Sequence, residues 1–335
     1  MSVEPGTLQR RLGEALFARV AGPDGPANRA RFATPGPRWF APDRPIRRVH
    51  GDAAMFVGGL RALLLQSLHP QAMIAVAQHS DYRTDPWGRL QRTSTFLAAT
   101  TFGAADDAQR AVDHVRHVHQ FITGADPDGR PYRADDPHLL RWVHVAETDS
   151  FLRCHQRYGA QPLDADGCDG YVADTARIAV ALGVEDPPQT RAELAEALAA
   201  YRPELRATPE ALEAARFLVW NPPLPLLARG PYSLLAGTAI AELPPWARRA
   251  LRLPRLPVAE SVLVPPTGRA FEVRMTAFFI FEDGRLVCER VYFDAMTMLR
   301  QLLSGVSLRR PASLLTLLRT LRGLGRNQRE SERRV

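Results

Sequence analysis

Three histidines on one predicted helix are the most concentrated group of residues in this sequence that could do chemistry. His114, His117 and His119 fall within residues 105–123, and a neutral imidazole can donate a nitrogen lone pair to a metal ion or a haem iron. At about 100° per residue, His114 and His119 flank the apolar stripe of this helix on opposite sides, whereas His117 points to solvent. Helical periodicity therefore leaves His114 and His119 as equal candidates. Any single histidine is more often a surface or hydrogen-bonded core residue than a ligand.

A second group of candidates combines two arginines and a threonine. Arg89 and Arg92 are three residues apart and Arg89 and Thr93 four, so the three side chains are predicted to share one helix face. Such a face can hold carboxylates through bidentate hydrogen bonds and offer a hydroxyl to a bound oxygen species, but the pattern also fits a solvated basic turn. His144, within a strongly apolar helix, is a further buried candidate.

Several classes of site are absent from the sequence. It contains no glycine-rich nucleotide-binding motif, no serine-hydrolase elbow and no HExxH zinc motif. The cysteines, Cys154, Cys168 and Cys288, have neither metal-binding nor redox spacing, which indicates a reducing compartment. No apolar run is long enough to predict a transmembrane helix, and Glu14 and Arg19 interrupt the apolar region that a signal peptide needs. We therefore expect a cytoplasmic protein.

The elements that position these residues are mostly helices. Asp-Pro and Thr-Pro pairs at residues 85–86, 136–137 and 208–209 have the form of an N-cap followed by proline in the first turn. Apolar residues at helical spacing then predict helices over about 51–68, 70–79, 86–102, 105–123, 137–158, 170–182, 190–201, 209–219 and 231–250. The predicted fold class is mainly α, a helical bundle with a small C-terminal β-hairpin and helix.

The chain after residue 253 has a different character. Two β-branched and aromatic runs, 271–281 and 286–293, flank Asp283-Gly284 and predict a β-hairpin, and a helix is predicted over 295–303. The predicted organisation has four segments: an N-terminal helix (Thr7–Val20) and irregular arm over 1–45, a helical domain over 46–255, the hairpin and helix over 256–305, and a basic amphipathic or disordered tail over 306–335.

The basic charge is concentrated in that tail. All 43 lysine-plus-arginine residues are arginine, and residues 308–335 hold eight of them against two glutamates, so this segment carries +6 of the formal +7. A nearly neutral body argues against a specific nucleic-acid-binding domain. The tail itself could make a peripheral contact with an acidic membrane surface.

An ordered series of short motifs spans roughly residues 45–255. It comprises Leu63-Leu-Leu-Gln-Ser-Leu-His-Pro70, His79-Ser-Asp-Tyr82, Gly88-Arg-Leu-Gln-Arg-Thr93, Phe102-Gly103, His119-x-x-Ile-x-Gly124, Tyr132-x-Ala134, Leu140-x-Trp-Val-His144, Asn221-Pro-Pro and Leu243-Pro-Pro-Trp-Ala-Arg248. In this order the series resembles the catalytic domain of the MpaB/latex-clearing-protein family, which includes the rubber oxygenases.

The resemblance implies a helical fold with a globin-like core that binds haem b. By motif, His119 would be the axial ligand of the iron, with His114 and His144 as lesser candidates. The implied function is a haem-dependent oxygenase that acts with dioxygen on an apolar small molecule, such as a terpenoid, a polyketide or a lipid. The alternative is a non-catalytic haem-binding or small-molecule-sensing protein of the same fold.

The resemblance also implies roles for the arginine and threonine cluster. Arg89, Arg92 and Thr93 would lie on the catalytic, distal side of the haem, and Arg89 would also pair with its propionates. One position departs from the family's Arg-x-x-Lys-Thr pattern, because Arg92 precedes Thr93 and the chain has no lysine. Arginine keeps the charge but lacks the compact ammonium and its easily shifted pKa. This difference argues against rubber itself as the substrate.

A second resemblance concerns the C-terminal hairpin. Pro265-Pro-Thr-Gly-Arg269, Phe281-Glu-Asp-Gly-Arg-Leu286 and Val291-Tyr-Phe-Asp-Ala-Met296 look like the closing hairpin of SnoaL-like polyketide cyclases. The earlier parts of that fold have no counterpart in the chain. Since a lone hairpin is not independently stable, we expect a partial appendage that docks on the body or pairs across a homo-oligomer.

Overall fold

The computed structural model describes residues 35–126, 128–159, 161–224, 226–254, 275–282 and 285–293. The predicted N-terminal helix over Thr7–Val20, the helix predicted over 295–303 and the basic tail lie outside these residues. Within them, the prediction of a mainly helical fold is confirmed.

Helices account for most of the described chain. In order they are α1 (Pro45–His50), α2 (Ala54–Gln66), α3 (Pro70–His79), α4 (Pro86–Phe102), α5 (Ala105–Gln120), α6 (Pro137–Tyr158), α7 (Ala165–Leu182), α8 (Arg191–Ala200), α9 (Pro209–Trp220), α10 (Leu226–Glu242) and α11 (Pro245–Ala250), with a short 3-10 helix at Arg202–Glu204. Two antiparallel pairs of strands complete the fold: β1 (Thr123–Ala125) with β2 (Pro131–Arg133), and β3 (Met275–Glu282) with β4 (Arg285–Phe293).

Two of the helix starts show why the sequence predicts them well. The Asp85 carboxylate accepts a hydrogen bond from the Gly88 backbone N–H at 2.8 Å, and Asp136 accepts one from His138 N–H, also at 2.8 Å. In both helices proline occupies the first turn, where its missing N–H costs nothing. The predicted starts at residues 86 and 137 are confirmed.

Several helix boundaries differ from the prediction, and two of these differences have a local cause. The helix predicted over 231–250 is two helices, because proline lacks a backbone N–H and clashes with the preceding turn, so that Pro245 begins α11 instead of continuing α10. Helix α7 begins at Ala165, before the predicted residue 170. There Asp164 caps the helix by accepting a hydrogen bond from Gly167 N–H at 2.8 Å.

A short hairpin between α5 and α6 was not predicted. Its turn is held by the Asp126 carboxylate, which accepts hydrogen bonds from the backbone N–H groups of Asp128 and Arg130, each at 2.9 Å. Tyr132 on β2 is buried, and its hydroxyl donates to Gln78 Oε1 of α3 at 2.6 Å. The hairpin therefore connects the end of α5 to α3. It was not predicted because strands of three residues are too short to show period-two alternation in the sequence.

Helices α2 and α6 pack closely at the centre of the fold. A side chain at Gly58 would bring its Cβ to 2.8 Å from the Phe151 ring, so glycine is what allows this approach. Next to this contact Arg61 is almost fully buried, and it donates to Ser150 Oγ at 2.6 Å and to the Glu242 carbonyl at 2.9 Å. Its guanidinium also lies 2.7 Å from the Asp149 carboxylate, so a paired buried charge ties α2 to α6 and α10.

The predicted C-terminal hairpin is confirmed. Strands β3 and β4 pair antiparallel, with a shift of register between Ile280 and Phe281. Among the helices of the described residues, none combines the length and the apolar character that crossing a bilayer requires.

Candidate active site

An apolar cavity of about 490 Å³ lies between helices α2, α3, α4, α6, α9 and α10. Aliphatic, aromatic and thioether side chains make up most of its wall, including Met55, Leu63, Met73, Val76, Leu97 and Phe217. This volume and lining are typical of pockets that enclose a small molecule or a cofactor. The cavity is therefore the candidate active site.

An arginine and a carboxyl group that line this cavity influence each other electrostatically. Arg89 of α4 donates to Ser80 Oγ at 2.5 Å, and burial lowers its pKa, although a guanidinium stays protonated in any case. On α6, burial raises the pKa of the Glu147 carboxyl to about 6, against the opposing effects of a hydrogen bond from Gln66 and the charge of Arg89. The cavity thus contains one fixed cation and one carboxyl that can hold a proton near neutral pH.

His50, at the end of α1, also lines the cavity, but both of its ring nitrogens are occupied. Nδ1 lies 2.8 Å from Thr101 Oγ1 and Nε2 lies 3.2 Å from the Tyr171 hydroxyl. Burial lowers the pKa of His50 to about 3, so the ring is neutral. With both nitrogens hydrogen-bonded, His50 is a polar wall residue and has no lone pair to spare for a metal.

Sequence analysis singled out neither Glu147 nor His50. The signal for Glu147 was present, since it is a carboxyl one turn from Val143 and Phe151 on an otherwise apolar helix face. His50 carries no comparable signal, because its partners come from residues far away in the sequence.

The predicted arginine and threonine face is only partly assembled at the cavity. Arg89 and Thr93 line it, whereas the Arg92 side chain is 63% exposed and lies 3.5 Å from the Asp85 carboxylate. Asp85 caps the same helix two turns earlier, and its ion pair with Arg92 lies at the surface. Arg92 is therefore remote from any molecule inside the cavity.

The three histidines of α5 differ in burial. His114 and His117 are exposed, whereas His119 in the last turn is half-buried. Burial lowers the pKa of His119, with the nearby Asp135 carboxylate acting in the opposite direction, so its imidazole is neutral at physiological pH. Burial thus separates His119 from His114, which helical periodicity could not do. His119 is not among the residues that line the cavity.

His144 lies on α6 between two of the cavity-lining residues, Val143 and Glu147. Burial lowers its pKa to about 4, and its Nδ1 is 3.4 Å from Thr148 Oγ1. Its Nε2 is buried and makes no hydrogen bond to any described residue. His144 itself is not among the residues that line the cavity.

A comparison with known protein families identifies the family of the chain, which the geometry of the site does not. Residues 47–276 match the family described as ER-bound oxygenase mpaB/B'/Rubber oxygenase, catalytic domain. The chain belongs to this MpaB/rubber-oxygenase family. The match confirms the resemblance given by the motif series and extends it to the first residues of β3. No curated protein and no solved structure matches the chain.

Haem is the group that the MpaB/rubber-oxygenase resemblance implies, and the cavity wall fits it in part. The wall is apolar, and Arg89 within it is a cation suited to a propionate. His119 and His144, neutral imidazoles of the type that ligates haem iron, are not among the residues that line the cavity. The Nε2 of His144, next in sequence to the lining residue Val143, is buried and makes no hydrogen bond to any described residue, so it is available to a ligand.

Proposed function

We propose that the protein is a haem b-dependent oxygenase that acts with dioxygen on an apolar small molecule of terpenoid, polyketide or lipid type. The observation that carries the proposal is the apolar cavity of about 490 Å³, with Arg89 and Glu147 in its wall, in a chain of an oxygenase family. Burial of apolar surface would supply most of the binding free energy of such a substrate.

In this proposal His119 holds the iron of the haem, on the strength of its place in the family motif, and Arg89 pairs with a propionate. The haem supplies the dioxygen chemistry when it is bound, and the protein supplies binding, orientation and electrostatics. His144 is the alternative ligand, because its Nε2 is free.

The other polar wall residues have separate roles in the proposal. The Thr93 hydroxyl is a hydrogen-bond donor at the cavity surface. Glu147 holds or releases a proton near pH 6, which suits a general acid or base that works close to neutral pH. The apolar side chains exclude water from the reacting molecule.

Dioxygen consumption tests this function. Haem-loaded protein is expected to consume dioxygen when terpenoids or unsaturated lipids are added, and Leu97→Trp, which fills the cavity, should reduce the rate by at least about tenfold. Val180→Trp on the exposed face of α7 is the matched control and should retain the rate. Consumption that is equal in the two variants would show that the reaction does not occur in this cavity.

The position of Arg92 favours a second candidate function. Where the family pattern has lysine, this chain directs an arginine to solvent, as expected of a protein that binds haem or a small molecule without turnover. A sensor of this kind should bind apolar compounds and change its spectrum, with no dioxygen consumed. The same assay therefore separates the two candidates.

A further inference from the structure

A second group of possible ligands lies outside the cavity lining, where three separate segments meet. His69 is the N-cap residue of α3, His138 lies in the first turn of α6, and Glu204 ends the 3-10 helix. One nitrogen or oxygen atom from each residue lies within 4.8 Å of the others. These residues are 66 to 135 positions apart in the sequence, so only the tertiary fold brings them together.

The separations of these atoms suit a tetrahedral ion. His69 Nε2 is 3.4 Å from Glu204 Oε2, and His138 Nε2 is 2.8 Å from the same oxygen. Zinc binds nitrogen and oxygen at about 2.0–2.2 Å, so two donors in a tetrahedral site lie roughly 3.3–3.5 Å apart. An ion between these groups requires the half-exposed His138 ring to move outward and give up its hydrogen bond to Glu204.

His69 provides the observation that points to a ligand. Its side chain is only 3% exposed, and its Nε2 is buried without a satisfactory hydrogen bond, although it faces the Glu204 carboxylate. An unsatisfied buried nitrogen is costly, and a bound cation would satisfy it.

The surroundings of the two rings are compatible with ligation. The Tyr201 hydroxyl donates to the His138 carbonyl at 2.8 Å, and its oxygen lies 3.5 Å from His138 Nδ1, where it can orient that ring through the nitrogen that does not face Glu204. His69 Nδ1 lies 3.5 Å from the Ala72 backbone N–H, at the outer limit of a hydrogen bond. When Nδ1 carries the proton, Nε2 is free to bind an ion, and only the weak hydrogen bond from the Ala72 N–H to Nδ1 is lost.

We propose that His69, His138 and Glu204 form a binding site for a divalent transition-metal ion, with zinc as the ion of first choice. Two imidazoles and one carboxylate are a zinc ligand set, whereas calcium and magnesium prefer oxygen ligands alone. The half-exposed His138 and Glu204 give the ion a path from solvent, and a water molecule completes the coordination. The ion fastens α3, α6 and the 3-10 helix to one another.

Zinc titration of the purified full-length protein, freed of metal by a chelator, tests this site. We expect one Zn²⁺ per chain, measured by competition with a chromophoric chelator, together with a rise in the melting temperature. Loss of a group that merely orients a ligand typically weakens metal binding about 10- to 100-fold, so Glu204→Gln and His138→Gln, which remove a ligand, should weaken it at least that much. Both positions are half-exposed, and circular dichroism checks that the variants are folded.

His117→Gln is the matched control, because His117 is an exposed histidine outside the group. It should bind zinc like the wild type. Failure of the wild type to bind Zn²⁺ at about 100 μM would overturn the proposal. Equal binding by the wild type and Glu204→Gln would also overturn it, and would leave these three residues as a hydrogen-bonded group only.

Discussion

A carboxyl group inside an apolar cavity is costly to ionise, and Glu147 is such a group. Its pKa of about 6 follows mainly from burial, with Arg89 nearby lowering the cost only in part. Glu147 and its neighbours also show which residues of the cavity could be predicted from the sequence. Arg89 and Thr93 were identified from their spacing and lie in the cavity wall. Glu147 was overlooked although it is a carboxyl on an apolar helix face, whereas His50 acquires its role only from tertiary neighbours.

The raised pKa of Glu147 predicts a pH-dependent effect on stability. The folded-state pKa of about 6 lies above the ordinary value of 4.5. The free-energy cost of ionising the buried carboxyl is therefore nearly absent at pH 4.5 and below, develops between pH 4.5 and 6, and is complete above pH 6. Glu147→Gln should therefore be more stable than the wild type at pH 7.5, by up to about 2 kcal/mol, and equally stable at pH 4.5.

Urea denaturation at the two pH values measures this difference. Glu213→Gln is the comparison, because Glu213 is exposed and its pKa is lowered by a hydrogen bond to Arg83. That variant should show no gain in stability at pH 7.5. A Glu147→Gln variant that is less stable than the wild type at pH 7.5 would contradict the assigned environment.

At the scale of elements, local signals predict a helix start well where an Asp-Pro or Thr-Pro pair marks it. Asp85 and Asp136 cap their helices through hydrogen bonds that lie within four residues, so the sequence contains the whole cause. Helix α5 ends at Gln120, earlier than predicted, because the chain enters a hairpin held by Asp126 and by the contact of Tyr132 with α3. That contact joins residues more than fifty positions apart, and periodicity cannot reveal it.

The close contact between α2 and α6 gives a prediction at this scale. In Gly58→Ala the new Cβ would lie 2.8 Å from the Phe151 ring, so the helices must move apart, at an expected cost of about 1–3 kcal/mol in free energy of unfolding. Gly59→Ala is the matched control, since its Cβ meets nothing closer than 4.0 Å.

Thermal or urea unfolding compares the two glycine variants. Gly59→Ala should be as stable as the wild type or more stable by up to about 1 kcal/mol, because alanine is the better helix former. Equal stability of Gly58→Ala and Gly59→Ala would show that the two helices are not packed as closely as described.

At the scale of the whole molecule, the cavity is the feature that the sequence could not predict. Its wall draws on seven helices, and six of them contribute apolar residues that look in the sequence like ordinary core positions. The ordered motif series indicated the family, and the match over residues 47–276 confirms it, but neither gives the size of the space or the polar groups in its wall. Those depend on how the helices pack, which only the tertiary structure shows.

The absorption spectrum of the purified protein tests the central claim most directly. We predict a Soret band after haem is supplied, lost in His119→Ala and retained in His117→Ala, whose exposed ring lies two residues earlier on the same helix. A band lost in His144→Ala but not in His119→Ala would move the ligand to α6. Absence of a Soret band in the wild type after haem supplementation would contradict the account of this protein as a haem-dependent oxygenase.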